Sequence, residues 1–199
     1  EKTDSNEGSF AYIDVGGGST EVSIIHDGVL AESYSYNMGT LRMLSGKVTA
    51  ETEKLFKENL TRYAEQYGDI RIIGSGGNIN KLNKLARHSK QDSKNLTLAE
   101  LKRLYSMMQP LSIEEREISF SLKEDRADVI IPAAEIFLKA CEYLKCENIM
   151  VPNISLADSI VDGLYEKMMA KTCIRKCNLG LANLDLMTDC TQEEKNFIK

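Results

Sequence analysis

The glycine-rich segment at residues 14–21 constrains the fold of this chain more than any other feature of the sequence. It reads Asp-Val-Gly-Gly-Gly-Ser-Thr-Glu and follows a β-prone run at residues 10–15. In dinucleotide-binding and P-loop motifs, a glycine turn of this kind opens a helix. Here the residues that follow, 21–26, form a second β-prone run that ends at Asp27 and Gly28. The sequence therefore predicts that the glycines form the tight turn of a β-hairpin.

The same turn carries chemical groups that suit phosphate binding. Because its glycines have no Cβ atoms, backbone N–H groups can close on an anion. Ser19 and Thr20 add hydroxyl donors, and Asp14 and Glu21 offer carboxylates for a divalent cation or for orienting a water. This strand–turn–strand pattern is typical of the phosphate sites of actin, Hsp70 and sugar kinases, and an ordinary tight hairpin is the alternative. The three glycines are Gly16, Gly17 and Gly18.

A second glycine cluster supports the prediction of a phosphate site. A short β-branched run at residues 69–73 leads into it, and apolar residues at helical spacing follow over residues 78–87. This turn therefore opens a helix, whose free N–H groups and macrodipole favour an anion. A close-packed strand-to-helix turn without a ligand is the alternative interpretation. The predicted phosphate-binding residues here are Gly74, Ser75, Gly76 and Gly77.

Composition and charge restrict the classes of partner. With 42% hydrophobic and 28% charged residues, the chain is typical of soluble globular proteins. Its 199 residues suit one domain or one lobe of a larger protein, and the first residue, Glu1, indicates a fragment or a processed form. A net charge of −5 argues against a nucleic-acid surface. No apolar run approaches the length of a membrane span and no signal peptide is visible, so we expect a cytoplasmic protein.

The five cysteines do not form a recognisable site. An odd number of cysteines without secretory signals suits free thiols in a reducing cytoplasm. The spacing of Cys173 and Cys177 resembles half of a metal site, but His26 and His88 are distant and no second close pair exists. We therefore interpret the cysteines as structural or incidental. They are Cys141, Cys146, Cys173, Cys177 and Cys190.

The remaining pattern predicts an α/β fold. Strands are expected at residues 10–15, 21–26, 29–36, 69–73 and 148–151, with the longer helices at 49–67, 78–88, 97–108, 126–144 and 156–169. Pro132 either kinks the helix at 126–144 or lies in its true first turn. The order of elements predicts a ribonuclease-H-like (actin-like ATPase) lobe, a mixed five-stranded sheet with helices packed on it. We expect a flexible N-terminal segment at residues 1–9, the lobe at 10–169, and a C-terminal extension of undecided structure at 170–199.

Taken together, these segments resemble the exopolyphosphatase and guanosine pentaphosphate phosphohydrolase (Ppx/GppA) family, a branch of the actin/Hsp70/sugar-kinase superfamily. The resemblance covers about residues 10–168 and corresponds to the second lobe of that family. It depends on the two glycine turns, on Met-Gly-Thr-Leu-Arg at residues 38–42, and on Arg-Ala-Asp-Val-Ile at residues 126–130. The turn at residues 14–21 is the most specific of these motifs.

The resemblance implies an activity and residue roles. It implies Mg²⁺-dependent hydrolysis of the terminal phosphoanhydride bond of inorganic polyphosphate or guanosine pentaphosphate, in a cleft between two lobes. The turn at residues 16–20 would cradle phosphate, Asp14 would help to hold the metal, and Glu21 would act as the catalytic residue, assisting with metal or water. Arg42 and Lys81 could add positive charge, and solvated surface positions are the alternative for both.

The chain also departs from the family pattern in two places. The first lobe of the family carries another phosphate motif and a general-base glutamate, and nothing before Ser9 supplies either. We therefore expect an N-terminal lobe to be missing and this lobe to be inactive alone. In the stretch at residues 151–159, Ala157 replaces an arginine, and Ile154 and Ser159 replace glycines.

These departures leave other functions open. One alternative is a non-catalytic sensor that binds a nucleotide such as a guanosine polyphosphate, and another is a kinase lobe that uses ATP. The altered stretch at residues 151–159 favours the sensor, whereas the intact motif at residues 14–21 favours the hydrolase. In either case we expect the exposed half of the cleft to be covered by the missing lobe or by a second copy of the chain, which would give a homodimer.

Overall fold

A computed structural model of the chain describes residues 8–86 and 95–152, all within the first of its two units, Glu1–Ile154. Several predictions lie outside the described residues. These are the helix at 156–169, the extension at 170–199, most of the altered stretch at 151–159, and Cys173, Cys177 and Cys190.

Within the described residues, six strands form one mixed sheet in the order β3-β2-β1-β4-β6-β5. The first three strands are an antiparallel meander, whereas β4 pairs parallel with β1, and β6 pairs parallel with β4. This arrangement confirms the predicted mixed α/β lobe. The strands are β1 (Ser9–Val15), β2 (Thr20–His26), β3 (Val29–Tyr36), β4 (Ile70–Ser75), β5 (Asn95–Thr97) and β6 (Asn148–Met150).

The prediction of five strands was wrong by one edge strand. Strand β5 pairs antiparallel with β6 and places Leu96 opposite Ile149. Three residues are too few to show the alternation that marks a strand, and the partner strand is distant in sequence. No local pattern could therefore have indicated this pairing.

The helices of the described chain begin largely where their capping residues predicted. Thr49 accepts a hydrogen bond from the backbone of Thr52, and Thr97 forms the predicted capping box with Glu100. The helix expected at 126–144 is two helices, and Pro132 lies in the first turn of the second. The helices are α1 (Thr40–Leu44), α2 (Ala50–Tyr67), α3 (Gly77–Ala86), α4 (Leu98–Met108), α5 (Ile113–Phe120), α6 (Glu124–Ala127) and α7 (Ile130–Leu144).

Ser9 corrects the predicted boundary of the N-terminal segment. It is the first residue of β1 and is buried, and its hydroxyl donates to the backbone carbonyl of Tyr67 at 2.9 Å. Next to it, the Gly8 N–H donates to Asp27 Oδ1. These partners are distant in sequence, and the residues before Ser9 are mostly polar, so the local pattern did not indicate the first residue of the strand.

The hydrophobic core lies against one face of the sheet, and this determines which side chains lie on the opposite face. Ala11, Ile13 and Val15 of β1 are buried in this core together with Phe56 of α2 and Phe137 of α7. Because side chains alternate along a strand, the residues between them point to the opposite face. That face therefore carries the polar residues at the ends of β1, β2 and β4. No helix among the described residues is long and apolar enough to cross a membrane.

Candidate functional site

The two glycine turns lie side by side at one edge of the sheet. The first joins β1 to β2 as a hairpin, and the second leads from β4 into α3, as predicted. Because β1 and β4 are parallel neighbours, with Asp14 opposite Ser75, both turns follow the carboxyl ends of their strands. Ligands of open α/β sheets bind outside the carboxyl ends of the strands. The fold thus unites two motifs that the sequence shows only as separate segments.

The first turn is tied to the beginning of α1. It is closed by a hydrogen bond from Gly16 N to Ser19 O at 3.0 Å. The carbonyl oxygens of its three glycines all accept hydrogen bonds from α1. These bonds join Gly16 O to Thr40 N (3.0 Å), Gly17 O to Leu41 N (2.9 Å) and Arg42 N (3.2 Å), and Gly18 O to Arg42 Nε (2.9 Å). The turn therefore has a fixed orientation, with its carbonyls facing the helix.

That orientation exposes backbone donors on the opposite side. In a trans peptide the N–H points away from the preceding C=O. Since the carbonyls of the glycines face α1, the amides of Gly17, Gly18 and Ser19 point away from it. Within the described chain, none of these three amides donates a hydrogen bond to another residue. Successive free amides of this kind form a nest for an anion.

Gly39 allows the close contact between the turn and α1. A Cβ atom at this position would lie 2.5 Å from both Gly17 O and Ser19 N. At Gly17 a Cβ would lie 3.0 Å from Leu41 Cδ1, whereas one at Gly18 would have nothing within 4 Å. Sequence reasoning included Gly39 only in the family resemblance. Its contact with the turn depends on tertiary packing. The one local signal of its role was the presence of a glycine immediately before a short helix.

Asp14 and Glu21 face each other across β1 and β2. They are register partners in the antiparallel pair and so share one face of the sheet. Asp14 is half-buried, and burial raises the pKa of its carboxyl, with a further contribution from the negative charge of Glu21. Two acidic groups are thus held together beside the first turn, and neither forms an ion pair with any residue that the structure describes.

The Glu21 carboxylate is oriented by two hydroxyl groups. Its Oε1 accepts hydrogen bonds from Ser19 Oγ at 2.6 Å and from Ser35 Oγ at 3.0 Å. Its Oε2 makes no hydrogen bond with any residue that the structure describes, so it is open to a cation or a water. Sequence reasoning missed Ser35, which is opposite Glu21 in the register of β2 and β3.

The carboxylate pair is typical of an open magnesium site and not of a metal site closed by protein side chains. No group of three or more His, Cys, Asp or Glu side chains suited to a metal occurs among residues 8–86 and 95–152. Mg²⁺ usually takes one or two protein carboxylates and completes its shell with waters and phosphate oxygens. Burial, and secondarily the charge of Glu21, raises the pKa of the Asp14 carboxyl, and a bound cation would favour its ionised form. A cation bound jointly with a phosphate therefore suits Asp14 and Glu21.

Three other predicted residues lie outside the nest. Thr20 is fully buried, and its hydroxyl donates to Met38 O at 2.5 Å, so this hydroxyl anchors β2 and does not face the nest. Arg42 Nε donates to Gly18 O at 2.9 Å, so its guanidinium is held on the carbonyl side of the turn, opposite the free amides. Lys81 lies further away on α3 and donates to Ser121 O at 3.1 Å.

The glycines of the second turn have distinct roles. A Cβ at Gly74 would meet side chains of Ile79 and Ile149 at 2.9 and 3.0 Å, so Gly74 is required by core packing. Gly76 has a φ of +104°, which favours glycine, and its position brings the turn against Asp14 Oδ1. Gly77 begins α3, whose first amides have no acceptor among the described residues. Gly76 and Gly77 are therefore the two glycines of this turn that lie next to the predicted phosphate site.

Arg126 is a further cation that sequence reasoning included only in the family resemblance. A Cβ at Gly77 would lie 2.9 Å from Arg126 Nη1, and the same nitrogen donates to Asn78 Oδ1 at 2.7 Å. The guanidinium therefore covers the beginning of α3. Only the contact between α6 and α3, which are far apart in sequence, could reveal this position.

The two described cysteines have no catalytic environment. Cys141 and Cys146 are buried free thiols, and burial raises their pKa values to about 12 and about 11. Cys146 Sγ also donates to Ile70 O. Because thiols with such pKa values stay protonated near neutral pH, the interpretation of these two as structural residues is confirmed.

Comparisons with known proteins identify the family and the fold. The sequence model of the Ppx/GppA phosphatase family matches residues 1–168. A crystal structure of the Aquifex aeolicus Ppx/GppA phosphatase is similar, with 25% identity, a TM-score of 0.62, and coverage of 78% of this chain and 56% of that chain. An exopolyphosphatase from Cytophaga hutchinsonii shows the same fold, with 18% identity, a TM-score of 0.66 and coverage of 81% and 58%. No curated protein sequence matches the chain significantly.

Proposed function

The chain belongs to the Ppx/GppA phosphatase family, and on this premise we propose that it is the second lobe of an enzyme that hydrolyses terminal phosphoanhydride bonds. The proposed substrates are inorganic polyphosphate and guanosine pentaphosphate. The observation that carries this proposal is the nest of free amides at Gly17, Gly18 and Ser19 beside the acidic pair Asp14 and Glu21. Such an arrangement supplies donors for phosphate and ligands for a cation at one place.

The proposed chemistry assigns a separate task to each group. Phosphoryl transfer depends mainly on positioning and on neutralising charge at the phosphate oxygens. The nest amides bind and orient the terminal phosphate, while Glu21, held by Ser19 and Ser35, positions a water or a cation. A Mg²⁺ ion held by Asp14 would neutralise phosphate charge when bound. Half-burial of Asp14 strengthens its interaction with such a cation, because the local dielectric is low.

Catalysis requires a second lobe in this proposal. The chain spans only 56–58% of the length of the two structural relatives. Every group so far assigned to the phosphate or to the cation belongs to this one lobe. We therefore propose that an N-terminal lobe closes the other side of the phosphate and that the 199-residue chain alone has little or no turnover. Dimerisation and a cytoplasmic location stay predictions.

A non-catalytic sensor is the second candidate. It is favoured by one sequence observation, the replacement of expected glycine and arginine positions by Ile154, Ala157 and Ser159. A sensor would keep the nest and bind a guanosine polyphosphate without hydrolysing it. The two candidates differ in turnover, not in binding.

Phosphate release by the two-lobed parent protein tests the proposal. Polyphosphate and guanosine pentaphosphate are incubated with Mg²⁺ and the parent, its Asp14→Asn and Glu21→Gln variants, and Glu58→Gln as a control. Glu58 is an exposed carboxylate on α2, outside the site. We expect a loss of about 10²-fold or more in kcat/KM for the site variants, on the scale of removing one positioned catalytic group, and none for the control. A folded parent that binds either substrate without turnover would establish the sensor instead.

A further inference from the structure

A basic groove leads away from the second glycine turn. It has a volume of about 630 Å³ and lies between α3 and the segment that joins α5 to α6. Gly77, at the start of α3, is one of its lining residues. Since Gly77 follows the turn packed against Asp14, the groove adjoins the proposed phosphate site.

The groove carries a local charge opposite to that of the whole protein. Four cations and one carboxylate line it, in a chain of net charge −5. Lys84 and Lys123 are exposed and form no ion pair with any residue in the described ranges. A cluster of unpaired cations is relieved by an anionic ligand. The charged residues are Lys81, Lys84, Lys123, Arg126 and Asp125.

Two of the cations are already oriented by neighbouring groups. Lys81 Nζ donates to Ser121 O across the groove, and Arg126 Nη1 donates to Asn78 Oδ1 at the beginning of α3. Each side chain retains further N–H donors, because lysine has three and arginine has five. The groove therefore combines two positioned cations with two free ones.

The remaining lining distinguishes between two kinds of anion. A nucleoside requires an apolar or aromatic surface against its base. Among the residues that the structure describes, no aromatic side chain lines the groove and Leu122 is the one aliphatic hydrophobic residue of its lining, whereas Asn80 and Asn83 add polar amides. Amides and cations suit phosphate oxygens, which repeat along a polyphosphate chain.

We propose that this groove, which nothing in the family comparison assigns, binds the non-reacting phosphates of a linear inorganic polyphosphate. The proposal rests on the proposed function, because the reacting end of the same chain is placed at the nest. The groove then makes affinity depend on chain length: a long chain occupies both regions, and a short one occupies the glycine turns alone. The guanosine of a nucleotide substrate gains nothing from it.

Calorimetric titration of the 199-residue chain tests the groove without any need for turnover. The probes are long-chain inorganic polyphosphate, tripolyphosphate and guanosine tetraphosphate. The variant Lys84→Gln/Lys123→Gln is compared with Lys54→Gln/Lys102→Gln, which removes the same charge from exposed positions on α2 and α4. Thermal unfolding checks that both variants are folded.

We expect the groove variant to bind long polyphosphate about 5- to 25-fold more weakly, at up to about fivefold for each exposed ion pair. Its affinity for tripolyphosphate and guanosine tetraphosphate stays unchanged, and the control variant keeps its affinity for all three probes. The proposal is overturned by equal losses in both variants, by no loss in the groove variant, by a matching loss for guanosine tetraphosphate, or by a wild-type chain that does not bind long polyphosphate.

This binding test and the phosphate-release test fail independently. If the groove variant behaves as expected but the parent releases no phosphate, the chain binds polyphosphate and the catalytic proposal is wrong. If the parent hydrolyses its substrates but the groove variant binds normally, the proposed function stands and the groove has no part in it.

Discussion

Replacing Gly39 by alanine directly perturbs the support of the phosphate turn. The added Cβ would lie 2.5 Å from Gly17 O and Ser19 N, both of which are backbone atoms. Neither can rotate away as a flexible side chain would, so either the turn or the beginning of α1 must move. The movement strains the hydrogen bonds by which α1 holds the glycine carbonyls.

The expected cost follows from three contributions. Overpacking of a tight contact destabilises by about 1–3 kcal/mol, and each backbone hydrogen bond lost between the turn and α1 adds about 1 kcal/mol. In the opposite direction, Gly39 has φ −133° and ψ 170°, which alanine adopts freely, so a smaller unfolded-state entropy returns about 0.4–1 kcal/mol. With one or two bonds lost, the net destabilisation is about 1–4.5 kcal/mol. For a chain of this size it lowers Tm by roughly 2–18 °C.

Gly18→Ala is the matched control, because a Cβ there has nothing within 4 Å. Differential scanning calorimetry of both variants measures stability, and tripolyphosphate titration measures the nest. We expect Gly18→Ala to unfold at or slightly above the wild-type temperature. Gly39→Ala should lose both stability and tripolyphosphate affinity. Equal Tm values for wild type and Gly39→Ala would refute the reasoning that α1 fixes the turn.

Three further predictions concern single groups. Asp14→Asn should raise Tm at neutral pH without divalent cations and should abolish stabilisation by Mg²⁺. The raised pKa of Asp14 means that its ionised form opposes folding above its native pKa. The gain in Tm should therefore vanish as pH falls below 3.8. Thr97→Ala should cost about 1 kcal/mol in chemical unfolding, because it removes the hydroxyl that accepts from Glu100 N and donates to Glu100 Oε2, while the backbone half of the capping box remains. Cys141 and Cys146 should resist alkylation in the native protein and react on unfolding, as mapped by mass spectrometry. Their raised pKa values also predict that stability declines as pH rises from about 9 through 11–12.

Local features of the sequence predicted most of the elements correctly. A glycine turn followed by β-prone residues became a hairpin, and one followed by apolar residues at helical spacing opened a helix. Thr97 forms its capping box, and Pro132 lies in the first turn of α7, where its missing N–H is tolerated. All of these depend on backbone preferences and on contacts within about one helical turn, which a short segment contains in full.

The composition of the site was determined by contacts between segments that are distant in sequence. The parallel pairing of β1 and β4 brought the second turn against Asp14, and the register of β2 and β3 placed Ser35 on Glu21. Gly39 is needed only because α1 packs on the first turn. Contacts between distant segments also produce the strand pairing of β5, the inward orientation of the Thr20 hydroxyl and the basic groove.

The amino-acid sequence by itself thus determined the two turns and the type of element that follows each, because torsional preference and hydrophobic period act locally. Only the tertiary structure decided which groups of those turns are free. An amide or carboxylate at a turn is available to a ligand only if the packed chain leaves it without a partner. Here α1 binds the turn carbonyls and leaves the amides of Gly17, Gly18 and Ser19 without acceptors among the described residues, next to a carboxylate pair that strand register assembled.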